Sequence, residues 1–276
     1  MAWSERSGTQ RGLVAPTVPA RDARSSPAVV PTALGPRAPA SLRALRWGFG
    51  LAVVVAFPAS AVAVFGAGLD RHAAADALSI TYGFGLALLF STAFWPLSAL
   101  RTWSREDRLA SASLLFLAVS YATHLSWELG WLVLFDRIRS HPDAAWAYPW
   151  WAYIDGGDAR YLKGAPEVFG MEILSVLNGT VGALALFAHL RTGGTSRRAV
   201  LVMMGTAVVH FYSASLYYLS EIVGGMPNVD TSRFVNLWIK FGLANAPWVV
   251  MPWVVLAWGA RALDRLPPVP RARSYQ

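Results

Sequence analysis

Apolar residues fall along this chain in six long runs, at about 47 to 69, 77 to 99, 109 to 135, 169 to 190, 199 to 220 and 237 to 259, with short polar stretches between them. Each run can bridge a hydrocarbon layer of about 30 Å as a single α-helix. The pattern therefore predicts an all-α fold, a polytopic transmembrane helix bundle of about six spans. Pro58, Pro96, Pro247 and Pro252 lie within these runs, where neighbouring helices can satisfy the backbone groups a proline leaves free. Residues 1 to 44 are rich in Ala, Pro, Ser and Arg and lack a sustained apolar face, which predicts a disordered N-terminal tail. That tail is not a secretory signal, because no short apolar core precedes a cleavage site.

Composition agrees with the membrane reading. Hydrophobic residues make up 55% of the 276 and charged residues only 14%, too apolar for a soluble domain of this size. Thirteen tryptophans are present. Trp146, Tyr148, Trp150, Trp151 and Tyr153 form a cluster of the kind that collects at bilayer interfaces. With no cysteine, disulfides and thiolate sites are excluded. The net charge of +8 is spread over the ends of the apolar runs, so no basic patch for nucleic acid is predicted. With six spans, the two termini and the loops at 100 to 108 and 191 to 198 share one side, which carries 17 Lys and Arg against 7 on the other. The positive-inside rule then places both termini in the cytoplasm. The host membrane is a bacterial inner membrane or an endoplasmic reticulum.

Within the third run, His124 and Glu128 interrupt the apolar sequence four residues apart. Ionisable groups at membrane depth are expensive and usually face a protein interior or a cavity, and a spacing of four puts both on one helix face. Depth matching adds Glu172 from the fourth run, and Asn245 and Trp248 from the sixth. Five polar or aromatic groups from three helices are thus expected in one layer. His210, Tyr212, Tyr217 and Tyr218 of the fifth run are candidates for the same cavity or for packing, and Glu221 is expected among the headgroups. From the residues alone, a proton-transfer site, a transporter and a packed helix contact all remain open.

Five motifs in order resemble the emopamil-binding protein family of sterol Δ8-Δ7 isomerases, built on the EXPERA membrane domain. They are His124-Leu125-Ser126-Trp127-Glu128 with Gly130-Trp131, Gly157-Asp158-Ala159-Arg160-Tyr161, Met171-Glu172, Leu216-Tyr217-Tyr218-Leu219-Ser220-Glu221, and Asn245-Ala246-Pro247-Trp248 with Pro252. The resemblance implies an EXPERA-like membrane domain over about 97 to 258, preceded by additional N-terminal membrane helices at 45 to 96 and followed by a basic tail at 260 to 276. It makes His124, Glu128 and Glu172 the catalytic acid-base group, and Trp248, Asn245, Tyr161 and Ser175 the substrate-binding residues. Asp158 and Arg160 are expected to form a structural ion pair or cap. Neither a metal nor an organic cofactor is implied. The partner implied is a sterol drawn from the bilayer, and a homodimer is left open.

Three departures from the family pattern stand out. Asn178-Gly179-Thr180 replaces a Gly-Pro, Ser213-Ala214 replaces a Gly-Asp, and two spans rather than one precede the His-bearing helix. Moving a double bond from C8-C9 to C7-C8 needs a proton delivered at C9 and one removed from C7, with positive charge developing at C8. A His and two carboxylates meet that demand. The alternative from another class is a non-catalytic EXPERA-type sterol or lipid receptor or trafficking protein; relatives of that kind tend to use aspartates, which favours the enzyme.

Overall fold

Helix starts are set by side chains that accept orphan N–H groups. In the computed structural model, which describes residues 32–267, Asp70 accepts from Ala73 N at 2.8 Å to open α2 (Arg71–Ser91). Ser104 and Asp107 form a reciprocal capping box for α3 (Arg105–Thr123). Ser196 accepts from Ala199 N at 3.2 Å at the start of α8 (Arg197–Val223). Such caps each contribute about 1 kcal/mol. Proline starts two other helices, α7 (Pro166–Arg191) and α9 (Pro247–Arg265), where its missing N–H costs nothing. Shorter helices are α4 (Leu129–Ser140), α5 (Tyr148–Ile154) and α6 (Arg160–Lys163).

Six helical segments are long and apolar enough to cross a membrane, as predicted, and no strand occurs among the described residues. Boundaries move. The first span is α1 (Ala40–Phe65), so helix begins inside the stretch predicted as tail. The predicted disorder of 1–31, and residues 268–276 of the predicted basic tail, lie outside the described residues, while residues 260–265 of that tail belong to α9. Pro96 stands after α2 rather than inside it, Pro247 begins α9, and only Pro58 and Pro252 are interior to helices. The third span is α3 and α4 joined by a π turn, His124–Glu128, and the sixth is a π segment, Val235–Leu243, leading into α9.

Contacts at the two ends show that the spans alternate in direction. Arg46 near the start of α1 donates to Thr92 after α2 and to Ser111 in α3. Arg197 at the start of α8 reaches the carbonyl of Leu266 beyond α9. At the opposite end, Ser60 of α1 bonds Tyr148 of α5 at 2.9 Å. A core of Phe90, Phe116, Tyr121, Met203, Val255 and Trp258 fills one half of the bundle. Large apolar side chains such as Val62, Leu184, Phe187 and Val223 face outward, the arrangement that lipid surroundings favour.

Glu221, expected among the headgroups, is enclosed by protein instead. It accepts from Asn228 N and Asn228 Nδ2 and pairs with Arg160 at 3.3 Å. Asp158 binds Arg160 Nη2 at 2.7 Å and accepts from Arg160 N at 3.0 Å, so it is both ion pair and cap. Burial pulls the Arg160 pKa down, but the Asp158 hydrogen bonds and charge outweigh it and leave the group above its ordinary value.

Candidate functional site

The apolar run at 109 to 135 predicts a regular helix. The structure widens it into the π turn at His124–Glu128, closed by Leu129 N–H bonding His124 O; such turns collect at functional sites. The widened turn lies against α7 because residue 179 is glycine: a Cβ there would meet His124 Cβ at 2.7 Å. One turn on, a Cβ at Gly182 would collide with the Tyr121 ring. Asn178 ties the same stretch to α8 by donating to Thr206 O at 3.1 Å. Asn178-Gly179-Thr180, a departure from the family pattern, is therefore the close-approach point of three helices.

His124 is buried and uses both ring nitrogens. Nδ1 is hydrogen-bonded to Glu128 Oε2. Nε2 lies 2.8 Å from His210 Nε2 and 3.1 Å from Ser120 Oγ. Trp248 Nε1 donates to Ser120 Oγ at 2.8 Å, and its ring centroid is 6.4 Å from that of His124. Across the site, Tyr161 donates its hydroxyl to Glu172 Oε1. Burial first, and the neighbouring Glu172 second, hold the Tyr161 hydroxyl well above its ordinary range, so it stays a donor. Glu172 Oε2 is buried and no N–H or hydroxyl donor reaches it, and the carboxyl lies within hydrogen-bonding range of the Glu128 carboxyl.

All of these side chains except Ser120 line one cavity of about 700 Å³, a size that suits a small-molecule ligand. All seven catalytic and substrate-binding candidates, His124, Glu128, Glu172, Trp248, Asn245, Tyr161 and Ser175, line it. They do not form one contact group, however. The Asn245 amide is spent on Phe241 O at 2.9 Å and Tyr153 OH at 3.0 Å, holding the end of the π segment to α5. Ser175 lies a turn from Glu172 on the cavity wall.

The aromatic segment at 146 to 153 contributes to the site: Tyr148 is buried, and Pro149, Trp150 and Tyr153 wall the cavity. Tyr212 is 61% exposed and faces away, whereas His210 and Tyr217 line the site. Tyr218 instead donates to Gly242 O at 2.5 Å. Lys240, which the sequence did not single out, is fully buried on the cavity wall, 2.9 Å from Asp76 Oδ1 and 2.5 Å from Asp155 O.

Sequence reasoning also missed Ser120, Tyr153 and the whole α1–α2 contribution. Val53, Phe57, Leu78 and Tyr82 form one wall. Ser120 had a signal, since it stands four residues before His124. Nothing local marked the others. Among the lining residues Val54, Ala122 and Ser126 are exposed. They place the cavity mouth between α1 and the third span, midway along both.

Six membrane-competent helices around an internal ligand-sized cavity define a polytopic integral membrane protein. No protein-family model matches the chain. It is 29% identical over 140 residues to a Mus musculus protein named 3-beta-hydroxysteroid-Delta(8),Delta(7)-isomerase, covering 50% of this chain and 59% of the relative. A Rattus norvegicus protein of the same name is 28% identical over 140 residues, with the same coverage. The chain thus matches 59% of the length of these curated relatives, under two thirds.

Proposed function

We propose that this protein is an intramembrane sterol isomerase of the emopamil-binding, EXPERA type, moving a Δ8 double bond to Δ7. The observation that carries the reading is the juxtaposition, in one apolar cavity, of the His124–Glu128 couple with the buried Glu172 carboxyl, the two carboxyls lying within hydrogen-bonding range of each other. Two carboxyls buried side by side are costly unless they share a proton, and such a pair suits groups that exchange a proton with a bound substrate. The similarity to curated proteins named as Δ8,Δ7-isomerases supports the same reading.

In this mechanism one of the two acidic groups delivers a proton to C9 of the Δ8 sterol, leaving positive charge at C8. The other removes a proton from C7, and the electron pair of that C–H bond becomes the C7-C8 double bond. Glu172 and the His124–Glu128 couple divide the two roles. Trp248 turns its ring toward the developing cation, a contact worth about 2 kcal/mol when desolvated. Tyr161 steadies Glu172 through its hydroxyl. The sterol reaches the cavity sideways from lipid, past Val54, Ala122 and Ser126.

Incubation of the purified protein in lipid with a Δ8 sterol in D2O tests this directly. A Δ7 product carrying one deuterium at C9 is expected. Tight binding of sterol without any isomer conversion would identify a receptor or trafficking protein instead.

A further inference from the structure

His210 is paired with His124 more closely than packing requires. The two Nε2 atoms are 2.8 Å apart, the ring planes are inclined by 27° with centroids 4.9 Å apart, so the rings meet nitrogen to nitrogen, and both residues are buried. Ser120 Oγ completes a triangle, 3.1 Å from His124 Nε2 and 3.2 Å from His210 Nε2. Phe116 meets His210 edge to face with ring centroids 5.7 Å apart, and the Tyr121 ring lies near parallel to it at 5.9 Å. His210 Nδ1 is buried with no hydrogen-bond partner.

Two arrangements of protons are compatible with neutral rings. A nitrogen–nitrogen hydrogen bond holds one proton, so one Nε2 is N–H and the other is bare. Trp248 Nε1–H occupies one acceptor site of Ser120 Oγ, and the Ser120 proton therefore points to whichever histidine is bare. In the first arrangement His210 Nε2–H and Ser120 O–H both point to a bare His124 Nε2, and His124 Nδ1–H points to a Glu128 carboxylate. In the second, Glu128 donates to a bare His124 Nδ1, His124 Nε2–H points to His210, and His210 carries its proton on Nδ1.

Only the second buries an N–H without an acceptor, because His210 Nδ1 has none. Among backbone groups orphaned N–H donors are rarer than under-satisfied acceptors, and the same preference selects the first arrangement. We infer that His210, with Ser120, is a positioning residue that locks His124 as the Nδ1–H tautomer and so fixes Glu128 as the acceptor of the couple. Its bearing on turnover rests on the isomerase reading, but the tautomer itself does not. His210 also lines the cavity, but it reaches the Glu128 carboxyl only through His124.

The test uses the full chain, labelled with ¹⁵N-histidine, in lipid nanodiscs. Side-chain ¹⁵N shifts, assigned with His124→Ala and His210→Phe, are expected to show His124 protonated at Nδ1 and bare at Nε2. His210→Phe keeps the aromatic packing and removes the donor, so the His124 signal should become a tautomer mixture. His210→Gln keeps an N–H donor and should restore the single tautomer; it also serves if the Phe variant does not fold. A His124 tautomer that is Nε2–H in the unaltered protein, or that is unchanged in a folded His210→Phe variant, overturns the inference. With Δ8 sterol, His210→Phe should slow conversion on the order of 100-fold with sterol affinity unchanged, as for a base held in the wrong tautomer, and His210→Gln should recover most of it. If the unaltered protein binds but does not convert sterol, the isomerase reading fails while the tautomer measurement still decides the role of His210.

Discussion

Glu172 is the residue on which the proposed chemistry turns most directly. Glu172→Gln keeps the size and the acceptor for Tyr161 but removes proton exchange, so conversion of Δ8 sterol should fall about 10² to 10⁴-fold while binding measured by sterol displacement persists. His124→Ala should have a comparable effect, since Glu128 loses its partner. Retained turnover in both variants would remove the acid-base assignment. Tyr161→Phe is a finer probe: the hydroxyl acts as donor to Glu172 Oε1, and its loss should slow turnover with little change in folding. His124, Glu128 and Glu172 could be named from the sequence because charge at membrane depth is costly and therefore conspicuous, whereas Tyr161 was named only by the family resemblance. The pairings across helices could not be named, since His210 reaches His124 from α8 and Tyr161 reaches Glu172 from α6.

At the scale of elements, two glycines of α7 decide how closely it approaches α3. Gly179→Ala would set a methyl group 2.7 Å from His124 Cβ, and Gly182→Ala would drive one into the Tyr121 ring. Each should destabilise the bundle by about 1–3 kcal/mol, seen as a lower midpoint in thermal unfolding in detergent, and Gly179→Ala should also displace the His124–Glu128 couple. Gly205 of α8 is the control, since a methyl group placed there would have nothing within 4 Å. Gly205→Ala is expected to be neutral or to stabilise by about 0.5–1 kcal/mol. Span number and approximate position were legible because a helix in lipid must be apolar throughout its length. The π turn was not, since no residue type encodes i→i+5 bonding and the widening follows from how α3 meets α7.

Across the whole molecule, the two N-terminal spans belong to the site. Val53, Phe57, Leu78 and Tyr82 close a wall of the cavity, and Asp76 of α2 pairs with the buried Lys240 of the π segment. Asp76→Ala should leave that ammonium under-compensated and cost about 3 kcal/mol or more, measured as lost thermal stability and as looser protection of α2 in hydrogen exchange. At the mouth, Val54→Trp combined with Ala122→Trp should slow uptake of sterol from vesicles while leaving the fold intact; uptake at the original rate would move the mouth elsewhere.

By itself the sequence determined an all-helical membrane bundle and the candidate polar groups, because lipid imposes its rules on each segment separately: length, apolarity and the rarity of charge are local properties. Tertiary structure alone decided what those groups do to one another. It set Glu221 inside an ion-pair network, folded the aromatic segment at 146 to 153 into the cavity wall, brought the first two spans to the site, and placed His210 against His124. These outcomes depend on distances between residues far apart in the chain, and such distances are set by packing, which no single segment encodes.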